Sequence, residues 1–143
     1  MARFDLIVIG AGPAGCVAAH AAALGGARVL LLEKARLPRY KVCGGCVSAR
    51  TLPHLPVDIG PVVEDVTFGA TFTVGGTAPL RTVSARPMAY MVMRDRFDAR
   101  LAAAAAGAGA DLRDGAPARR IEECRGGVVV EAERDIYAAT FVV

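Results

Sequence analysis

Apolar residues run without a break from Leu6 to Ile9 and stop at Gly10; a second run, Val29 to Leu32, stops at Glu33 and Lys34. Short apolar runs bounded by a turn or a charge suit strands buried on both faces of a parallel sheet. The pattern predicts strands over residues 4–9 and 28–33. Between them Pro13 opens a helix, where its missing N–H costs nothing, and Gly25-Gly26 stop it after Leu24. Strand, helix and strand within about thirty residues form a crossover unit, nearly always right-handed.

After Glu33 the pattern changes. Residues 35–48 are polar and glycine-rich, with Pro38 and Gly44-Gly45, and read as an ordered loop. Residues 49–55 suit a short helix. Residues 62–74 alternate weakly and read as strand. Residues 80–93 suit one or two strands interrupted by Pro87. Helix returns over residues 95–106, where Phe97 and Leu101 share a face and alanine favours the helix. Residues 110–113 read as a third parallel strand. Residues 119–124, 127–132 and 136–143 read as a meander with turns at Arg125-Gly126 and Arg134-Asp135. The expected fold class is α/β: a Rossmann-like domain with a parallel sheet, an antiparallel excursion and a β-meander. The expected organisation is one domain, with residues 1–51 and 94–143 as its core and 52–93 as an antiparallel insertion.

The chemistry lies in the first turn. Gly10-Ala11-Gly12-Pro13-Ala14-Gly15 joins a strand to a helix. Gly10 allows the tight turn, Gly12 lets the backbone approach a pyrophosphate, and Gly15 lets the helix pack on the strand. Phosphates then sit at the positive helix end. Glu33, at the end of the second strand, can accept hydrogen bonds from both hydroxyls of an adenosine ribose and would repel a 2′-phosphate. A lone glycine fingerprint is weak, but here strand, helix, second strand and terminal acid agree.

Composition narrows the rest. The chain has 143 residues and a formal net charge of +3, its basic groups almost all arginine and scattered along the chain. No basic run with interleaved aromatics is present, so nucleic acid is not an expected partner. No apolar stretch approaches the ~20 residues of a spanning helix. The early Asp5 and the glycine turn make residues 1–15 a first strand and not a signal peptide. Cys16, Cys43, Cys46 and Cys124 lack the spacing of a disulfide framework, and the expected location is cytoplasmic, at most peripheral to a membrane. Cys43 and Cys46 form a Cys-x-x-Cys, but no second pair completes a zinc site, so no metal is expected. His20 reads as a helix-surface or packing residue and His54 as a loop residue; Tyr40 and Lys41 read equally well as reaching a bound dinucleotide or as solvated loop, and Arg36 and Arg39 as neighbours of its adenine end or as surface charges. Asp98 reads as an acid in the first turn of its helix.

Four stretches together resemble the N-terminal part of geranylgeranyl reductase-like flavoproteins: residues 4–15, VLLLEK at 29–34, PRYKVCGG at 38–45, and RDRFDARL at 94–101. Aromatic-ring hydroxylases and flavin-dependent halogenases share the first, second and fourth, and PRYKVCGG favours the reductases. The resemblance implies FAD, held by Gly10, Gly12, Pro13, Ala14, Gly15, Glu33, Lys34, Cys43, Gly44 and Arg94, with Cys43 a flavin-proximal thiol and the one candidate catalytic group. It implies hydride transfer to the double bonds of a small-molecule or prenyl-lipid substrate, with NAD(P)H or another electron donor. The alternatives are a monooxygenase or halogenase relative, and a non-catalytic fragment. In such proteins a glycine–aspartate motif, GADG, follows the last meander strand. Here AATFVV at 138–143 stops before it, so the expectation is a C-terminally incomplete domain, inactive alone, with one sheet face uncovered.

Overall fold

A computed structural model describes residues 2–133 and 135–143. Strand β1 (Ala2–Ile9) sends alternate side chains to opposite faces: Val8 joins one apolar cluster and Ile7 another. Helix α1 (Pro13–Leu24) begins after Gly12 and ends at Gly25, the bounds that Pro13 and the glycine pair predict. Strand β2 (Val29–Glu33) is buried at every position. Here Val29 and Leu31 face the helices, and Leu30 and Leu32 the opposite side.

The excursion is more divided than the sequence suggests. The expected loop at 35–48 ends in a short strand, β3 (Cys46–Ser48). The helix expected over 49–55 is only a 3-10 turn at Leu52–His54, with proline in its first turn. The strand expected over 62–74 begins as a second 3-10 turn, Gly60–Val62, and then splits into β4 (Val63–Thr67) and β5 (Gly69–Phe72). Strands β6 (Leu80–Val83) and β7 (Ala89–Val92) follow, separated around Pro87. Strands β3, β7 and β4 form one antiparallel sheet, and β5 with β6 a separate hairpin. Gly69 marks the division: a Cβ there would lie 2.5 Å from the Thr82 carbonyl oxygen, so only glycine lets the two hairpin backbones meet.

Helix α2 (Arg94–Gly107) buries Phe97, Asp98, Leu101, Ala102 and Ala105 along one stripe. Its alanines meet the Ala19 side of α1 in the larger cluster. Strand β8 (Asp111–Asp114) then pairs parallel with β2. The meander is β9 (Ala118–Cys124), β10 (Gly127–Ala132) and β11 (Asp135–Val142). Its turn at Arg125-Gly126 is present, while Arg134 of the other expected turn lies outside the described residues.

The main sheet runs β8-β2-β1-β11-β10-β9, with β11 parallel to β1 on the side away from β2. This is the expected place of the last strand. The expectation of an uncovered face is met in part: Phe141, beside Leu6 on the helix side of the sheet, is 68% exposed, and β9 is exposed along most of its length. Val128, Val130 and Ala132 of β10 cluster with Ile7, Leu30 and Leu32, so the meander supplies the second layer opposite the helices. Among the described residues, no helix is long and apolar enough to cross a membrane.

Candidate functional site

The carboxyl ends of β1 and β2 open into a cleft of about 640 Å³. Open α/β sheets bind ligands at this end, and the volume is of ligand-pocket size. Ile9, Gly10 and Gly12 form one wall, and Leu32, Glu33 and Lys34 another. Loop residues 39–42 and residues 116–119, leading into β9, close the sides. The helix start carries no side-chain cap and no acid in its first turn. A polyanion there meets the positive helix end without a competing carboxylate.

Glu33 is 4% exposed and accepts from three neighbouring donors. Its Oε2 accepts from the Ala11 amide at 3.0 Å and from Arg39 Nη2 at 3.2 Å; its Oε1 accepts from the Ala35 amide at 3.1 Å. Burial works against its ionisation, but Arg39 and the two amides outweigh it and hold the carboxyl below the ordinary glutamate range. The acid is therefore a fixed anion at the cleft wall, and Oε1 keeps acceptor capacity for one further donor.

A smaller cleft of about 180 Å³ lies on the other side of Pro13. Pro13, Cys43, Cys46, Arg94 and Phe97 line it. Arg94 reaches back towards the glycine turn: a Cβ on Gly12 would lie 3.9 Å from its Nη2. Cys43 is exposed and free, and the Gly45 amide, 3.4 Å from its sulfur, and then the Arg94 guanidinium lower its thiol below the ordinary value. Cys46 and Cys124 are also exposed free thiols. Cys16 is buried, and burial pushes its thiol up to about 12.

The residues singled out in the sequence thus distribute over two neighbouring clefts. Gly10, Gly12, Glu33 and Lys34 line the larger one, and Pro13, Cys43 and Arg94 the smaller. Gly15 packs instead: a Cβ there would stand 2.0 Å from the Gly10 carbonyl oxygen. Ala14 and Gly44 are exposed beside the clefts. Neighbouring Gly45 anchors the loop, with φ of +71° and its carbonyl accepting from the Val92 amide at 2.9 Å.

Two residues carry more of the site than their sequence reading suggests. Arg39 reads as one of several open arginines, yet it joins Glu33 to Asp98. Asp98 reads as an ordinary first-turn acid, yet it is 0% exposed and takes bonds from both Arg39 and Arg94. A signal existed for it: Asp98 lies on the helix stripe of Phe97 and Leu101, four residues after Arg94. An acid on an apolar stripe with a cation at that spacing predicts a buried pair.

This architecture has known counterparts. The family model described as FAD dependent oxidoreductase matches residues 5–78. Protein FixC of Salmonella typhi is 36% identical over 98% of this chain, and digeranylgeranylglycerophospholipid reductase 1 of Methanopyrus kandleri is 37% identical over 94%. The chain spans 36% of the length of each of these relatives. The solved structure of a geranylgeranyl bacteriochlorophyll reductase-like protein from Thermoplasma acidophilum superposes with a TM-score of 0.84 at 28% identity, over 99% of this chain and 38% of that one. The chain belongs to the FAD-dependent oxidoreductase family.

Proposed function

We propose that this chain is the FAD-binding part of an oxidoreductase that reduces prenyl double bonds. The observation that carries the reading is the larger cleft, where an oriented, ionised Glu33 faces the same space as Gly10 and Gly12. On this reading Gly10, Gly12, Pro13, Ala14 and Gly15 shape the pyrophosphate turn, with Gly15 acting through packing. Glu33 takes a ribose hydroxyl and Lys34 lies at the rim. Cys43, Gly44 and Arg94 border the route from the glycine turn to the smaller cleft. The architecture fits the group: the helix start is free of acids, and the cleft is wide enough for an adenosine diphosphate moiety. Bound FAD would supply hydride chemistry, and these residues supply binding and orientation.

The domain division goes with this reading. On it, residues 1–51 and 94–143 are the dinucleotide-binding core and 52–93 an antiparallel insertion, to which β3 of the core pairs. The prenyl-lipid substrate is supported by the relative named a digeranylgeranylglycerophospholipid reductase. NAD(P)H or another reductant would be the electron source, and the location cytoplasmic with peripheral membrane contact.

Titration of the purified chain with FAD and with ADP tests the reading. Glu33→Ala is expected to weaken both by about 1–3 kcal/mol, the usual loss for hydrogen bonds to a charged group. Unchanged affinity would remove Glu33 from the site. The 143 residues are expected to bind without reducing a prenyl substrate under a chemical reductant. Among the described residues the two clefts are open to solvent and do not enclose a lipid chain, and near-attack geometry contributes ~7–11 kcal/mol to such reactions. Turnover would show that these residues suffice.

A further inference from the structure

Between the two clefts runs a line of alternating charges. Glu33 accepts from Arg39 at 3.2 Å, and Arg39 donates through its other terminal nitrogen to Asp98 Oδ2 at 2.9 Å. Arg94 grips the same carboxylate with both sides of its fork, Nε to Oδ1 at 2.8 Å and Nη2 to Oδ2 at 2.9 Å. Arg94 and Cys43 line the same small cleft, and the guanidinium lowers the thiol. Asp98 is fully buried, while the Arg39 and Arg94 side chains are 12% and 16% exposed. Arg39 comes from the loop after β2 and Arg94 from the first turn of α2, so one carboxylate ties two segments together.

A buried ion pair contributes little net stability compared with apolar side chains of the same volume. Asp98 sits on the stripe of Phe97, Leu101 and Ala102, where a leucine would pack, so stability alone does not account for an acid there. What the carboxylate supplies is direction. A bidentate grip fixes the plane of a guanidinium in a way that a single contact does not.

We propose that Asp98 is a positioning residue: it holds Arg94 against Cys43 and Arg39 against Glu33, and so sets the geometry of both clefts from one buried point. The inference extends the site of the proposed function and rests on that reading only for what the clefts bind. Its test reads a thiol in the cofactor-free chain, so its failure is separate from a failure to bind FAD.

The charged groups that bear on Cys43 are Arg94, which favours the thiolate, and Asp98 behind it, which opposes it. If Asp98 acted only through its charge, removing that charge would lower the thiol further. If it positions Arg94, removing it frees the guanidinium and the thiol rises. The two roles therefore predict opposite signs.

The experiment follows alkylation of Cys43 by iodoacetamide against pH in the full chain, with Cys46→Ser and Cys124→Ser as background. Cys16, fully buried, serves as the folding reporter because it reacts only if the core opens. In Asp98→Asn the alkylation midpoint is expected to move to higher pH, with a several-fold slower reaction near neutrality. Arg94→Gln should raise it equally, and Asp98→Asn should add nothing to that variant. A lowered or unchanged midpoint with Cys16 protected overturns the proposal, as does an additive shift in the double variant. If Asp98→Asn exposes Cys16, the charge-conserving Asp98→Glu carries the test, since the extra methylene displaces the grip and should also raise the midpoint. Exposure of Cys16 in both variants would make Asp98 purely structural and overturn the proposal as well.

Discussion

Gly12 and Gly15 stand three residues apart in one motif and meet different surroundings. A methyl group on Gly15 would collide with the Gly10 backbone, whereas one on Gly12 would meet nothing closer than an arginine tip at 3.9 Å. Gly15→Ala should therefore lower stability by about 1–3 kcal/mol, the cost of forcing atoms into a packed site. Gly12→Ala should leave the denaturation midpoint in place and weaken ADP binding, because the added methyl stands where backbone would approach phosphate. Paired urea melts and ADP titrations of the two variants check this separation; a Gly12→Ala chain that binds normally would deny the close approach. At this scale the sequence shows local chemistry and hides distant partners. The glycine turn is contiguous, and so are its roles. Arg39 and Asp98 meet across 59 positions, and no spacing rule reaches that far. Only the Arg94–Asp98 half of the network, four residues apart on a helix, was open to inference.

Helices α1 and α2 pack through small side chains. Ala19 on one and Ala102 and Ala105 on the other are fully or almost fully buried, which lets the two backbones come close over β1 and β2. Ala105→Leu should then destabilise the chain by about 1–3 kcal/mol, while Ala103→Leu, on the exposed side of the same helix, should change the midpoint little. Thermal melts of the pair are the check, and equal effects would mean that the helices do not touch where the alanine stripe puts them. Elements with strong punctuation or long periodicity were legible: α1 between Pro13 and Gly25, β2 as an unbroken apolar run, α2 through its repeating stripe. The excursion was less so. Its strands are only 3 to 5 residues long and mostly exposed, too short and too wet for alternation to stand out. Their pairing is set by partners elsewhere in the chain, as when Cys46 finds Met91.

Across the whole molecule, apolar burial is uneven. Strand β2 within the main sheet is buried at every position, but the β5–β6 hairpin stands apart and exposes Phe72, Val74, Leu80 and Val83 by 56% to 75%. Contiguous exposed apolar side chains on a short two-stranded ribbon favour association. Sedimentation of the chain should show concentration-dependent self-association, and Phe72→Lys with Leu80→Lys should reduce it without moving the melting midpoint. Association that persists in the double variant would place the sticky surface elsewhere. The sheet order carries a different consequence, for how the chain comes together in time. Strand β1 is flanked by β2 and β11, and its Ala2 lies opposite Tyr137. The β1–α1–β2 unit can form from neighbours in sequence, but the other edge of β1 is satisfied only by residues far along the chain, as Tyr137 is from Ala2. Contacts of such long separation slow folding. A ribosome-bound chain should accordingly hold the nucleotide turn early and remain open along that edge until β11 emerges, which makes the arrival of β11 the event that pairs the second edge of β1.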